Sequence, residues 1–280
     1  MNRNRSRFLS TMLTVGLTFL YLPMILLVIY SFNYSKLVPV WGGWSTRWYT
    51  VLFQSEEVWN AVSLSLKIAL VNATFATLLG TLAGLAMVRF GRFRFRTLFG
   101  SMLVAPLVMP EIITGLSLLV FFISLKQLIG WPTERGFTTI TIAHITFSLA
   151  YVAVIIQARL TGMDQNLEEA ALDLGAKPFK VLTAITIPRL APAMVAGWLL
   201  AFTLSLDDLV IASFVTGPGA NTLPILIFSR IRVGLRPDIN ALATIIILFV
   251  AVCVAIAALI MLRQQRRQEI DEAIAAQEAS

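Results

Sequence analysis

The sequence predicts an all-α membrane protein with six transmembrane helices, and three observations lead there. Charged residues are 13% of the chain and hydrophobic ones 58%, whereas an ordinary soluble domain carries about 25% charge. The apolar residues also lie in continuous blocks, and these lack the alternation a membrane barrel needs, so the backbone must satisfy its polar groups within helices. Finally, no stretch between the blocks is long enough to build a core of its own. Residues 1–280 therefore read as one membrane domain.

The blocks place spans at about 9–31, 63–88, 98–125, 138–159, 190–206 and 240–262, most of them reaching the roughly 20 residues a crossing helix needs. The first follows Arg3, Arg5 and Arg7 and stays uncharged until Lys36. That exceeds the apolar core of a cleavable signal peptide, and no small-residue cleavage site follows, so a retained span is expected. The second ends at Arg89, Arg92, Arg94 and Arg96, and the sixth at Arg263, Arg266 and Arg267. With six crossings these clusters share one side with the N-terminus. The positive-inside rule makes that side the cytoplasm, with both termini inside. Arg230, Arg232 and Arg236 then fall outside, against the rule.

Residues 209–229 are uncharged but are interrupted by Gly217-Pro218-Gly219, so neither half crosses alone. An interfacial or re-entrant hairpin is expected, buried in protein or lining a cavity. Trp41, Trp44, Trp48 and Tyr49 have the composition of headgroup-level anchors. The tail after Arg263 reads as a charged helix extension. The net charge of +7 sits in short loops, a pattern that fits topology and anionic headgroups, not nucleic acid. The single cysteine, Cys253, lies in an apolar block and supports neither a disulfide framework nor a thiol metal site.

The longest polar cytoplasmic interruption is QNLEEAALDLGAKPFKVL, residues 165–182. Leu167, Ala170, Ala171, Leu174 and Leu182 recur at helical spacing, while Gly175 and Pro178 break the helix into two short pieces. Asn166 and Glu169 have capping-box spacing, and Asp173 and Lys177 stand four apart. Glu168, Glu169 and Asp173 would face anionic headgroups if this helix lay on lipid, so a protein partner fits better.

Glu169-Ala170-Ala171, then Gly175, then Ile185 and Pro188, resembles the EAA loop of binding-protein-dependent ABC importer permeases, with Ile187 where the family pattern has Leu. WGGWSTRWY, VRFGRFR, PLVMPEIITGLSLL and FTLSLDDLVIASFVTGPGANTLP extend the resemblance to the permease subunits of polyamine importers. It implies the type I importer permease fold and half of a pore for a polyamine, putrescine first and spermidine or another small cation as the alternative. The implied partners are a second related permease, a periplasmic polyamine-binding protein, and two ATPase subunits that bind ATP and Mg. In that family the EAA helix seats in the ATPase, and the carry-over assigns this contact to Glu169, Ala170, Ala171, Gly175, Ile185 and Pro188. No G-x-x-x-x-G-K-[ST] loop occurs, so the chain is not expected to be an enzyme.

Ionisable groups within spans are candidates for a substrate path. Glu111, flanked by Pro106 and Pro110, would lie roughly 20 Å along the third span, around or just past the midplane, where it either eases a dication's passage or pairs with a neighbouring helix for packing. Asp207 and Asp208 end the fifth span, and diverge by about 100° on a helix. At most one would face a channel while the other caps or contacts the hairpin, so the pair reads either as a mouth that attracts cations or as structural capping of residues 209–229. Tyr151, Trp198 and Phe202 could hold an ammonium group on their rings or simply pack. His144, alone of its kind, suits an interhelical hydrogen bond better than a metal. Two other classes fit the sequence less well. An ion-coupled secondary transporter would be expected to show internal repeats, and none is evident. An intramembrane aspartyl protease needs two aspartates on facing helices, and Asp207 and Asp208 are neighbours on one.

Overall fold

Apolar blocks without water partners bond internally, and the chain is helical almost throughout. The computed structural model describes residues 3–36, 40–234 and 237–278; Arg236 lies outside them. In chain order the helices are α1 Arg3–Ser31, α2 Arg47–Phe53, α3 Glu56–Arg89, α4 Arg96–Val108, α5 Glu111–Ile129 and α6 Phe137–Thr161. There follow α7 Asn166–Asp173, α8 Pro178–Val181, a π-helical turn Leu182–Thr186, and α9 Ile187–Asp207. The last are α10 Val210–Val215, α11 Leu223–Val233 and α12 Pro237–Glu278, so the charged tail continues the final helix.

Among the described residues, six stretches are long and apolar enough to cross a membrane: Phe8–Ser31, Glu56–Arg89, Glu111–Ile129, Phe137–Thr161, Pro178–Asp207 and Pro237–Ile256. The third departs from the sequence expectation. A single helix over residues 98–125 would be about 42 Å long against a hydrocarbon core of about 30 Å. Instead the chain breaks at Met109, which is extended with φ −75° and ψ 137°, because Pro110 disfavours a helical residue before it. Glu111 is consequently an exposed first-turn residue of α5 and not a mid-helix group.

The chain divides into two compact units, one formed by Met1–Glu56 with Arg230–Ser280 and the other by Glu57–Ser229. In the first, α12 packs on α1 and α2. The segment between α1 and α2 folds around Asn33, whose side chain donates to Val40 O at 2.7 Å and accepts from Gly42 N at 2.8 Å. Trp48, expected as a headgroup anchor, is buried and donates its indole N–H to Asn33 O at 2.7 Å. Tyr49 pairs with the Ser31 hydroxyl at 2.7 Å, so of the four expected anchors Trp41 and Trp44 stay exposed. Arg230 also gains an account, because it forms a 2.8 Å ion pair with Asp238 at the start of α12.

The second unit is built on a close approach of α3 and α6. A Cβ at Gly80 would stand 2.8 Å from the Val152 side chain, and one at Gly84 would stand 2.7 Å from that of Ile156. Only glycine permits this spacing, and with Ala73 and Ala76 it gives the small-residue seam on which helices pack where lipid supplies no hydrophobic drive. Asn72 pins the three central helices, its Nδ2 donating to Ser148 Oγ at 3.1 Å and to Ala201 O at 2.8 Å. Around this seam, Leu85, Val152, Ile156, Leu160 and Leu190 form one apolar cluster. Ile68, Phe122, Ile140, Phe147 and Ile211 form another. Helix α10, packed on α5 and α6, buries Ile211, Ala212 and Val215 completely. Burial in protein is what lets this short, interrupted segment exist at such a position.

Candidate functional site

The polar loop after α6 folds as two short helices with a bend. Helix α7 ends in a Schellman motif: Ala176 N bonds Ala171 O at 3.0 Å and Gly175 N bonds Leu172 O at 2.9 Å. The motif requires the left-handed φ of +86° that Gly175 adopts. Pro178 then opens α8 at its first position, where its missing N–H costs nothing. Pro188 also has no N–H to give to the carbonyl four residues back, at Ala184, and the ladder widens there into the π turn. Ile185 and Pro188 therefore sit at the joint between the loop and α9.

Two local expectations are corrected. Asn166 is not a cap, because its own backbone N–H is held by Asp164 Oδ1 at 3.0 Å and the helix starts one residue too early for a box with Glu169. Asp173 is the last residue of α7, so the helical register that would bring Lys177 beside it ends at the bend.

The loop presents an apolar, partly acidic outer surface. No side chain of α7 is buried. Leu167, Leu172, Leu174 and Phe179 are exposed, Leu174 by 89%, and so are Glu169, Ala170 and Gly175, with Ala171 half-buried. Glu168, which sequence reasoning grouped with its neighbour, turns inward. Its Oε1 accepts from Arg89 Nη2 and from the Thr186 hydroxyl, each at 3.1 Å. Adjacent helical side chains point about 100° apart, so the two diverge, but that period does not say which of them turns inward.

The carboxylates beyond α9 have separate surroundings. Asp208 is extended, with φ −65° and ψ 120°, and its oxygens accept from Ile211 N at 3.3 Å and Ala212 N at 2.7 Å. These are orphan donors of the first turn of α10. Its Oδ2 also meets His144 Nε2 at 3.1 Å, while His144 Nδ1 lies 2.7 Å from Ser205 Oγ. A carboxylate only accepts, so Nε2–H donates to Asp208, and in the neutral ring Nδ1 accepts from Ser205. His144 is thus held from both sides. Asp207 is exposed. Gly115, one turn beyond Glu111, packs on Ile211 and Phe214, with its Cβ position 3.3 Å from Ile211 Cα and 2.7 Å from the Phe214 ring. Glu111 is therefore one helical turn from the α5–α10 contact, while Asp207 is separated from α10 by the extended Asp208.

The aromatic candidates are packed. Trp198 and Phe202 stack with centroids 5.4 Å apart, and the indole N–H of Trp198 donates to Thr74 Oγ1 at 3.3 Å. Tyr151 meets Phe147 edge-on at 5.1 Å. Sequence reasoning also passed over Lys67, an exposed charge within the second span. It lines a cavity of about 380 Å³ with Glu57, Asn60, Ser63 and Asn221. A single charge in a long apolar window leaves the average hydropathy high, which is why it escaped notice.

Six apolar helices long enough to cross a membrane, with a bent polar loop between two of them, define a multi-pass membrane protein. Residues 76–270 match the family described as "binding-protein-dependent transport system inner membrane component", and the chain belongs to that family. It is a multi-pass inner-membrane transport component. It is 57% identical to the putrescine transport system permease protein PotI of Escherichia coli K12, over 94% of each chain. It is 42% identical to the spermidine/putrescine transport system permease protein PotC of the same strain, over 89% of this chain and 91% of the relative. In fold it is similar to a chain of a bacterial alginate ABC transporter complexed with a periplasmic protein, with a TM-score of 0.69 over 91% of this chain and 93% of the other at 19% identity.

Proposed function

We propose that the chain is a polyamine permease, with putrescine the foremost substrate, and forms half the translocation pore of an ATP-driven importer. A second related permease forms the other half, a periplasmic binding protein delivers the substrate, and two ATPase subunits, which bind ATP and Mg, drive the cycle. Both termini are cytoplasmic. The α7–α8 loop seats in the ATPase through Glu169, Ala170, Ala171 and Gly175, with Ile185 and Pro188 at the joint that passes its motion to α9. The observation that carries the reading is the outer face of that loop. A polar segment at the inner ends of the spans exposes Leu172, Leu174 and Phe179 beside Glu169, a surface suited to a protein cleft and, for its acidic residues, ill suited to anionic lipid. The identity to PotI supports the substrate class. Glu111 and Asp207, both exposed carboxylates, suit a path for a flexible dication, since acidic groups favour cation entry.

The test is affinity purification of the tagged chain in mild detergent, followed by putrescine uptake. A second permease and an ATPase accompany the parent chain. Glu169→Ala or Gly175→Leu lowers uptake while membrane insertion is retained. Unchanged uptake in both variants overturns the docking assignment, and a chain that purifies alone and still transports overturns the importer.

A further inference from the structure

Two neighbouring glutamates open α7, and the fold treats them oppositely. Glu169 is exposed, whereas a single oxygen of Glu168 receives both Arg89 and Thr186. Arg89 is the last residue of α3, and Thr186 ends the π turn that leads into α9. One carboxylate thus ties the loop to the inner ends of two spans. Both charged side chains are only 15% exposed, so their attraction is less screened than that of a surface pair.

The tie is needed because α7 has little else to hold it. It is eight residues long and buries no side chain, and an isolated helix of that length is marginal in water. The tie also has slack. Arg89 Nε and Nη1 are buried without a hydrogen-bond partner among the described residues, although a guanidinium offers a carboxylate a parallel pair of N–H groups. A tighter, two-bond form of the pair is therefore available to the same side chains.

We propose that Glu168 is a positioning residue for energy coupling. The Arg89–Glu168–Thr186 tie carries displacement of α7 into α3 and α9 together, while Glu169 beside it meets the partner. This rests on the reading that the loop docks a separate ATPase. The π turn is part of the device, because a widened ladder at Leu182–Thr186 lets the end of α9 yield where the tie pulls on it.

The experiment uses the complete transporter, reconstituted with its ATPase and binding protein, and reads putrescine imported per ATP hydrolysed. Glu168→Ala keeps the ATPase in the purified complex but lowers that ratio by about fivefold or more. Glu168→Gln, which retains an acceptor oxygen, recovers much of it. Thr186→Val, which removes one tie without touching a charge, lowers the ratio by less, and it decides the question should Glu168→Ala not fold. A purely structural role would change the yield or melting of the complex and leave the ratio alone. An unchanged ratio in Thr186→Val and in a folded Glu168→Ala overturns the proposal. A parent chain that fails to bring down an ATPase overturns the docking reading instead.

Discussion

Asp207 and Asp208 are adjacent in sequence, yet their chemistry differs because the helix ends between them. Asp208 is 8% exposed and holds two backbone donors and His144, so replacing it leaves several buried polar groups without partners. Asp208→Ala is expected to destabilise the protein by about 1–3 kcal/mol, read as a lower melting temperature in detergent. Asp207→Asn and Glu111→Gln leave melting near the parent value and slow putrescine uptake in membrane vesicles. The opposite pattern would place the cation path elsewhere. That the two would play different parts was an expectation from the helix period, but the cause is the end of α9 at Asp207, with Asp208 extended. The inward turn of Glu168 was not, because its partners Arg89 and Thr186 lie 79 and 18 residues away and nothing in a local pattern names them.

At the scale of elements, hydropathy located the blocks but not the break within one of them. Met109-Pro110 carried the signal, and a helix of residues 98–125 was too long for one straight crossing. The break in residues 209–229 was legible from Gly217-Pro218-Gly219, since α10 is only six residues long and ends before it. The α3–α6 seam was hidden for another reason. Glycines in a helix look merely unfavourable, and the facing Val152 and Ile156 are known only once the helices meet. Gly80→Val places two methyl groups where a single Cβ would already clash with Val152, and overpacking of this kind costs roughly 1–3 kcal/mol. The variant is expected to accumulate poorly in membranes. Gly16→Ala, at a position with no atom within 4 Å, serves as the control and accumulates normally.

Across the whole molecule the sequence holds few groups able to drive transport by itself, and this separates the two transporter classes. A proton-coupled carrier needs a chain of ionisable groups through its spans. Here His144 is fixed between Ser205 and Asp208, and Asp208 is committed to the start of α10. In the proposed importer the energy comes instead through the α7–α8 loop, where apolar side chains are exposed beside acidic ones. In vesicles containing the assembled transporter with its ATPase sites inside a sealed liposome, putrescine uptake from the binding-protein side is expected to require internal ATP. It should persist when an ionophore collapses the proton gradient. Uptake that follows the gradient and ignores ATP would reassign the chain to the ion-coupled class and leave the outer face of α7 without a partner.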